Sequence, residues 1–257
     1  MRDKDTIFDD FLRFQVELSF DLEQSFFRSS KAWNDAETIL DFGAGNGYYA
    51  RRLAEKYPEK RFVCVEINEA LAQRARCLVR PFDIEIVIGT FVDLPNDSEF
   101  DFVIARHVMS YLSDRETFMR WVSSHTTSSA GVLTIDADDT KYLVCPKLPS
   151  FEAGDKRFKK QVKAAGGNRK LLFCIQDEWE KHEFRHVRTD PVIVHSDIQR
   201  CKELMYMYML AEAEIDYGSP LPNRLSEELQ SWAFNPRSYL QYGIFGSLSE
   251  KGGAKRA

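Results

Sequence analysis

The 257-residue sequence predicts an α/β protein built on a doubly wound, mostly parallel sheet. Three observations carry that expectation. Residues Thr38 to Gly47 read Thr-Ile-Leu-Asp-Phe-Gly-Ala-Gly-Asn-Gly, an apolar run that ends on an acid and then a loop with glycine at every second position. Tyr48 to Lys56 follows with Ala50, Leu53 and Ala54 on one helical face, so the stretch is strand, glycine turn, helix. About twenty residues on, Arg61-Phe-Val-Cys-Val-Glu66 reads as a second strand that again closes on an acid. Ile84 to Ile88 is a third, unbroken and β-branched, as suits a parallel strand covered on both faces.

Composition bounds the function. An apolar fraction of 44% supports a substantial core, and the length suits one domain or one domain with a small appendage. A formal charge of −5 disfavours a broad nucleic-acid surface, which needs clustered excess Lys and Arg. The basic runs at 156–163 and 251–256 read as a solvated face and a frayed end. Five cysteines (64, 77, 145, 174 and 201) are odd in number and lack close pairing. They predict reduced, mostly buried thiols rather than disulfides or a metal site. Without an N-terminal apolar segment or a run of membrane-spanning length, the expectation is a cytoplasmic protein with no membrane partner.

In chain order, residues 6 to about 30 keep helical spacing through Phe8, Phe11, Leu12, Leu18, Leu22 and Phe26, with acids interleaved. Glycines 43, 45 and 47 admit backbone angles that a Cβ forbids, and they let a ligand lie against the main chain. A carboxylate at the Glu66 strand tip can accept both hydroxyls of a ribose. Glu69 to Arg80 is a helix stopped by Pro81. Phe100 to Ala105 is the fourth strand, and Arg106 to Leu112 leads into a helix ending near Ser124. Gly131 to Ile135 is the fifth strand, closing on Asp136-Ala-Asp-Asp139. Pro146 and Pro149 then break the chain; Phe151 to Ala165 is a basic helix, and Gly166-Gly-Asn-Arg169 opens another. Phe184 to Val187, or Val192 to His195, supplies the sixth strand. Residues 197 to 215 form a helix whose Met205-Tyr-Met-Tyr-Met209 run suits core packing or an adaptable pocket wall. A short helix (Leu225 to Trp232) and a closing strand (Tyr239 to Leu248) complete the chain.

Asp41-Phe-Gly-Ala-Gly-Asn-Gly47 resembles the first motif of the class I S-adenosylmethionine-dependent methyltransferases. A dinucleotide fingerprint beginning at Gly43 wants a small residue at position 48, where Tyr48 stands, so an NAD enzyme is disfavoured. The resemblance covers about residues 35–135. It implies a Rossmann-like, seven-stranded sheet whose last strand is antiparallel and inserted beside the sixth. Residues 1–34 become a helical lid, and 35–248 the methyltransferase domain with helical insertions at about 141–183 and 197–234. Residues 249–257 become a disordered tail.

The implied cofactor is S-adenosylmethionine, with S-adenosylhomocysteine as product. By resemblance Asp41, Gly43, Gly45 and Gly47 cradle its methionine part, and Glu66 and Ile67 hold the ribose side. Thr90 stands where the family's loop carries an aspartate for the adenine amino group; Phe91 offers a backbone N–H and an apolar wall. Arg106 completes the cofactor set. His107 (a candidate base) and Asp136 (to attract or orient an amine) are the catalytic candidates, with Tyr111 nearby. Asp138 and Asp139 read as a polar turn, and Tyr142 as a reserve for the acceptor site. A weaker likeness, in Asp136-Ala-Asp-Asp139 and Gly166-Gly-Asn-Arg169, points to small-molecule and natural-product methyltransferases. The implied activity is methylation of nitrogen or oxygen on a small molecule by a monomer or homodimer with no nucleic-acid partner. An RNA or protein methyltransferase and a non-catalytic S-adenosylmethionine- or nucleotide-binding regulator are the alternatives.

Overall fold

A computed structural model describes residues 2–28 and 30–252. Helix α1 (Lys4–Phe27) starts at Asp3, whose carboxylate accepts from Thr6 N at 2.9 Å, and a short α2 (Lys31–Asp35) follows. Then come β1 (Thr38–Phe42), α3 (Tyr48–Lys56), β2 (Arg61–Glu66), α4 (Glu69–Val79), β3 (Ile84–Ile88) and β4 (Phe100–Arg106). The chain continues through α5 (Arg115–Ser124), β5 (Thr126–Cys145), α6 (Pro149–Ala164), α7 (Ile175–Glu180), β6 (Phe184–His195), α8 (Gln199–Tyr217), α9 (Asn223–Phe234) and β7 (Tyr239–Lys251). The seven strands form one sheet in the order β3-β2-β1-β4-β5-β7-β6, with β7 antiparallel to both its neighbours. The expected doubly wound, Rossmann-like architecture is what the chain adopts.

Alternation along the parallel strands sends side chains to opposite faces. Ile39, Phe62, Phe102 and Leu133 pack with α1 to α4; Leu40, Val63, Val103 and Val132 pack with Phe118 and Trp179 of α5 and α7. A third core lies past the end of the parallel strands, where Val144, Val194 and Leu240 meet Met205, Met209, Leu229 and Trp232. The methionine-tyrosine run therefore does supply core.

Several elements differ from expectation. Strand β5 does not stop at Ile135 but runs on to Cys145, 20 residues in all, because β7 goes on pairing with it: Asp136 with Phe245, Ala137 with Ile244 and Asp138 with Gly243. The acidic stretch is therefore strand rather than turn, and residues 141–145 are strand rather than helical insertion. Both candidate sixth strands are parts of β6, joined through Pro191; this is the sheet's edge, where a missing N–H is tolerated. The helix after β4 begins only at Arg115, capped by Asp114, so Arg106 ends the strand and 107–112 is a turn that carries site residues. Residues 249–251, expected in a tail, belong to β7, and Lys251 Nζ donates to the carbonyls of Ser123 and Thr126 at 2.5 and 2.9 Å. Gly252 N donates to Glu183 O at 2.9 Å, and the remaining residues of the expected tail, 253–257, lie outside the described residues. All five cysteines are free, but only Cys64 is fully buried; Cys77 and Cys145 are exposed, against the expectation of mostly buried thiols. No described helix is long and apolar enough to cross a membrane.

Candidate active site

The glycine loop is held by the end of β2. Gly43 N and Ala44 N donate to Val65 O at 2.9 and 3.1 Å, so the loop is sewn to the end of β2. Glu66 completes that attachment: Oε2 accepts from Gly45 N at 2.8 Å and Oε1 from Asn68 N at 2.7 Å. Gly43 and Gly45 have φ of 75° and 59°, and both line the cleft. Gly47 does something else. A Cβ there would lie 2.9 Å from Ala75 Cβ, so this glycine lets α3 approach α4 and does not face a ligand.

Beyond the carboxyl ends of β1, β2 and β4 lies a cleft of about 720 Å³, roofed by Phe8, Phe11, Leu12 and Gln15 of α1. Glu66, Ile67, Gly89 and Thr90 line one end. Ile67 is 73% exposed, an apolar side chain with little protein against it. Thr90 N and Oγ1 both donate to Asp93 Oδ2, at 2.7 and 3.3 Å, which closes a capping box at this end of the cleft. Phe91 supplies no wall to the cleft; its ring packs against Phe42, Phe118 and Trp121 beneath it.

Asp41 and Arg106 border a smaller cavity under the glycine loop, with Asn46, Tyr49 and His107. Asp41 Oδ2 is buried without a partner. Burial pushes its carboxyl up to about 7, against a lowering by Arg106, with a further push from Glu66. Arg106, expected to serve a cofactor, is already committed to α1. Its Nε donates to Glu23 Oε2 at 2.9 Å and its NH2 to Glu23 Oε1 at 2.9 Å, with Ser19 and Gln15 as further acceptors. The guanidinium also lies 4.6 Å from the centre of the Tyr49 ring. Glu23 is 0% exposed, so this fork ties the lid helix to the tip of β4.

His107 sits at the next position with a left-handed φ of 52°, which places its ring on both cavities. Burial, then the Arg106 and Arg169 charges, hold the imidazole well below its ordinary range, so it is neutral. Asp136 lies 4.0 Å behind it, beyond hydrogen-bond reach. The carboxylate of Asp136 does not line the cleft: Oδ2 accepts from Ser110 N at 3.0 Å and Oδ1 from Ala137 N at 2.8 Å. It braces the turn that carries His107. Asp138 and Asp139 line the cleft instead, reversing the expectation for the three acids. Arg169 forks onto Asp139 at 2.7 and 3.3 Å, with Lys159 Nζ at 3.2 Å. Burial raises the Asp139 carboxyl, but Arg169 and Lys159 outweigh it and hold the group below its ordinary value.

Tyrosines close the far end. Tyr111 and Tyr142 line it, as do Tyr208 and Glu212 of α8 and Tyr242 of β7. Phe8, Phe11, Tyr208 and Tyr242 form a run of stacked rings from the lid to the sheet, with centroids 5.9, 4.9 and 5.9 Å apart. Sequence reasoning missed Glu23, Glu212 and Tyr242. Helical spacing could have found Glu212, since Tyr208, Glu212, Ile215 and Asp216 share one face of α8. Nothing local marks Glu23 or Tyr242.

The orphaned oxygen of Asp41, the main chain that Gly43 and Gly45 present to the cleft and the exposed Ile67 fit a ligand with a polar part and an apolar part. Residues 39–128 match the family described as a methyltransferase domain. A stretch of 77 residues is 35% identical to malonyl-[acyl-carrier protein] O-methyltransferase of Geobacter sulfurreducens, covering 29% of each chain. Another of 103 residues is 35% identical to a glycine/sarcosine/dimethylglycine N-methyltransferase of Actinopolyspora halophila, covering 38% of this chain and 18% of that one. The matches thus span a third or less of the curated relatives' length. In fold the chain is similar to a Haemonchus contortus phosphoethanolamine N-methyltransferase solved with phosphomonomethylethanolamine and S-adenosylhomocysteine. The TM-score is 0.52 at 16% identity, over 88% of this chain and 50% of that one.

Proposed function

We propose that this chain, whose residues 39–128 form a methyltransferase domain of the class I, S-adenosylmethionine-dependent type, methylates nitrogen or oxygen of a small-molecule acceptor. The observation that carries the reading is one cleft with two unlike ends. A backbone cradle built by Gly43, Gly45 and Glu66 faces one end, and aromatic and charged side chains face the other. The relatives' names include an O- and an N-methyltransferase, which supports either acceptor atom.

Bound at the first end, S-adenosylmethionine would supply an activated methyl on positive sulfur, with S-adenosylhomocysteine as the group left behind. Gly43, Gly45 and Asp41 would hold its amino-acid part, Glu66 its ribose, and Ile67 and Thr90 its base. Glu66 gives its outer lone pairs to that task while its inner ones keep the loop in place. His107 stands at the junction of the two ends as a neutral group. A base held so far below its ordinary range removes protons poorly, so orientation carries most of the rate. Well-oriented reactants gain roughly 7–11 kcal/mol in favourable cases.

Titration calorimetry with S-adenosylmethionine, S-adenosylhomocysteine and NAD tests the cofactor, and a labelled-methyl screen over small amines and phenols tests the acceptor. The first two ligands should bind and NAD should not. Binding of NAD alone, or methylation of RNA or protein in place of every small molecule, would refute the reading.

A further inference from the structure

The acceptor end of the cleft has one acid that nothing answers. Asp139 meets Arg169 at 2.7 Å and Lys159 at 3.2 Å; Asp155 meets Lys159 at 2.8 Å; Asp216 meets Arg157 at 2.6 Å. Glu212 also lines the cleft, yet among the described residues it has neither a hydrogen-bond nor an ion-pair partner within reach. Its surroundings are aromatic. Tyr208 lies one turn earlier on α8 and stacks on Tyr242, while Tyr111 and Tyr142 line the same space. The hydroxyls of Tyr142 and Tyr242 are buried without partners, so they too have unused hydrogen-bonding capacity.

We propose that this end of the cleft docks a cationic amino group of the methyl acceptor, with the Glu212 carboxylate as counter-ion and the tyrosine rings as walls. The proposal rests on the methyltransferase reading for the word acceptor, but the cation site itself does not. Ring faces attract cations, and a carboxylate in such surroundings gains more from a cation than from water. An anionic acceptor would meet Glu212, Asp155 and Asp216, while Arg169 and Lys159 are already engaged with Asp139 and Asp155. A neutral acceptor could meet Glu212 only in its protonated form, so its affinity would not rise with pH as a cation's does.

The free carboxyl is pushed up to about 8 by burial, and further by Asp155 and Asp216, against Lys159 and Arg169. It is therefore mostly protonated at neutral pH in the empty site. Binding a permanent cation must expel that proton, so affinity should rise with pH below about 8 and level off above it.

The test uses benzyltrimethylammonium, which cannot be methylated, and benzyl alcohol as a neutral aromatic of similar reach. Both are titrated into the full chain at pH 6 to 9, with and without S-adenosylhomocysteine. The cation should bind at least tenfold more tightly than the alcohol. Its affinity should climb roughly tenfold per pH unit between 6 and 8, with release of a proton. Glu212→Gln should lose both the preference and the pH dependence while binding S-adenosylhomocysteine as wild type does. Equal affinity for the two probes, or a cation preference that survives Glu212→Gln, overturns the proposal. If that variant does not fold, the wild-type preference and pH profile decide the matter alone. Failure of wild type to bind S-adenosylhomocysteine counts against the methyltransferase reading and leaves the cation comparison standing.

Discussion

The two ends of the cleft are built by opposite means. At the cofactor end, strands β1 to β4 are five to seven residues long and stop together, so that loops and helix starts meet over their tips. The contacts there are between main-chain N–H groups and one carboxylate, Glu66. At the acceptor end, β5, β6 and β7 run 20, 12 and 13 residues and overshoot the sheet, carrying α6, α8 and α9 with them. The contacts there are between side chains from segments far apart in sequence. A site made of backbone accepts one ligand shape and resists change. One made of side chains on overshooting strands can be rebuilt by single substitutions while the sheet stays as it is.

Breaking what joins the ends should have the largest effect. Helix α1 spans both, and its Glu23 fork to Arg106 is the buried tie. Glu23→Ala strands a buried guanidinium, for which about 3–5 kcal/mol of stability is the expected loss. Denaturant unfolding would measure it, and a loss below about 1 kcal/mol would show that the pair is not the tie. Glu66→Ala should act on the cofactor end alone. A charge-assisted hydrogen bond is worth about 1.5–3 kcal/mol, so S-adenosylmethionine should bind roughly ten- to a hundredfold more weakly. Stability should fall as well, since Gly45 N and Asn68 N lose their acceptor; binding of the cation probe should not change. Unaltered S-adenosylmethionine affinity in a folded variant would remove Glu66 from the site. The smallest effect is expected at the other end. Tyr142→Phe deletes a buried hydroxyl that has no partner, so stability should hold or rise by up to about 1 kcal/mol. A marked loss in thermal unfolding would mean that the hydroxyl is satisfied in the folded chain.

That contrast also explains what was legible. Tyr48–Lys56, Arg61–Glu66 and Ile84–Ile88 are the elements that glycine spacing, apolar runs and terminal acids foretell, because each signal lies within its own segment. The acids at 136–139 mislead. Three carboxylates in four residues look like a solvated turn, and only pairing with β7, about a hundred residues on, keeps them in a strand. Asp139 meets Arg169 across 30 residues, and the overshoot brings Glu212 to the same space. No periodicity within β5 reports a partner strand that has yet to be written. Arg106, expected just after the fourth strand, is its last residue, and its commitment to Glu23, 83 residues earlier, is invisible in sequence for the same reason.

The lid helix has a further consequence, in time rather than in space. Its later turns are pinned by Glu23 and by Phe26 and Phe27 in the core, while its first turns carry Phe8, Phe11 and Leu12 over the cleft. Those early turns are held on two sides: Phe11 stacks on Tyr208 and Arg2, just before the helix, donates to Glu214 of α8 at 2.8 Å, while Arg74 of α4 donates to Asp5 O at 2.8 Å and Asn46 to Asp9 O at 3.2 Å. Lifting this roof would mean parting the front of α1 from α8, α4 and the glycine loop while its rear stays fixed. Where passage uses that side, the clock of the enzyme is set by how often the front turns lift, and a faster catalyst would need a looser hinge before it needed better chemistry.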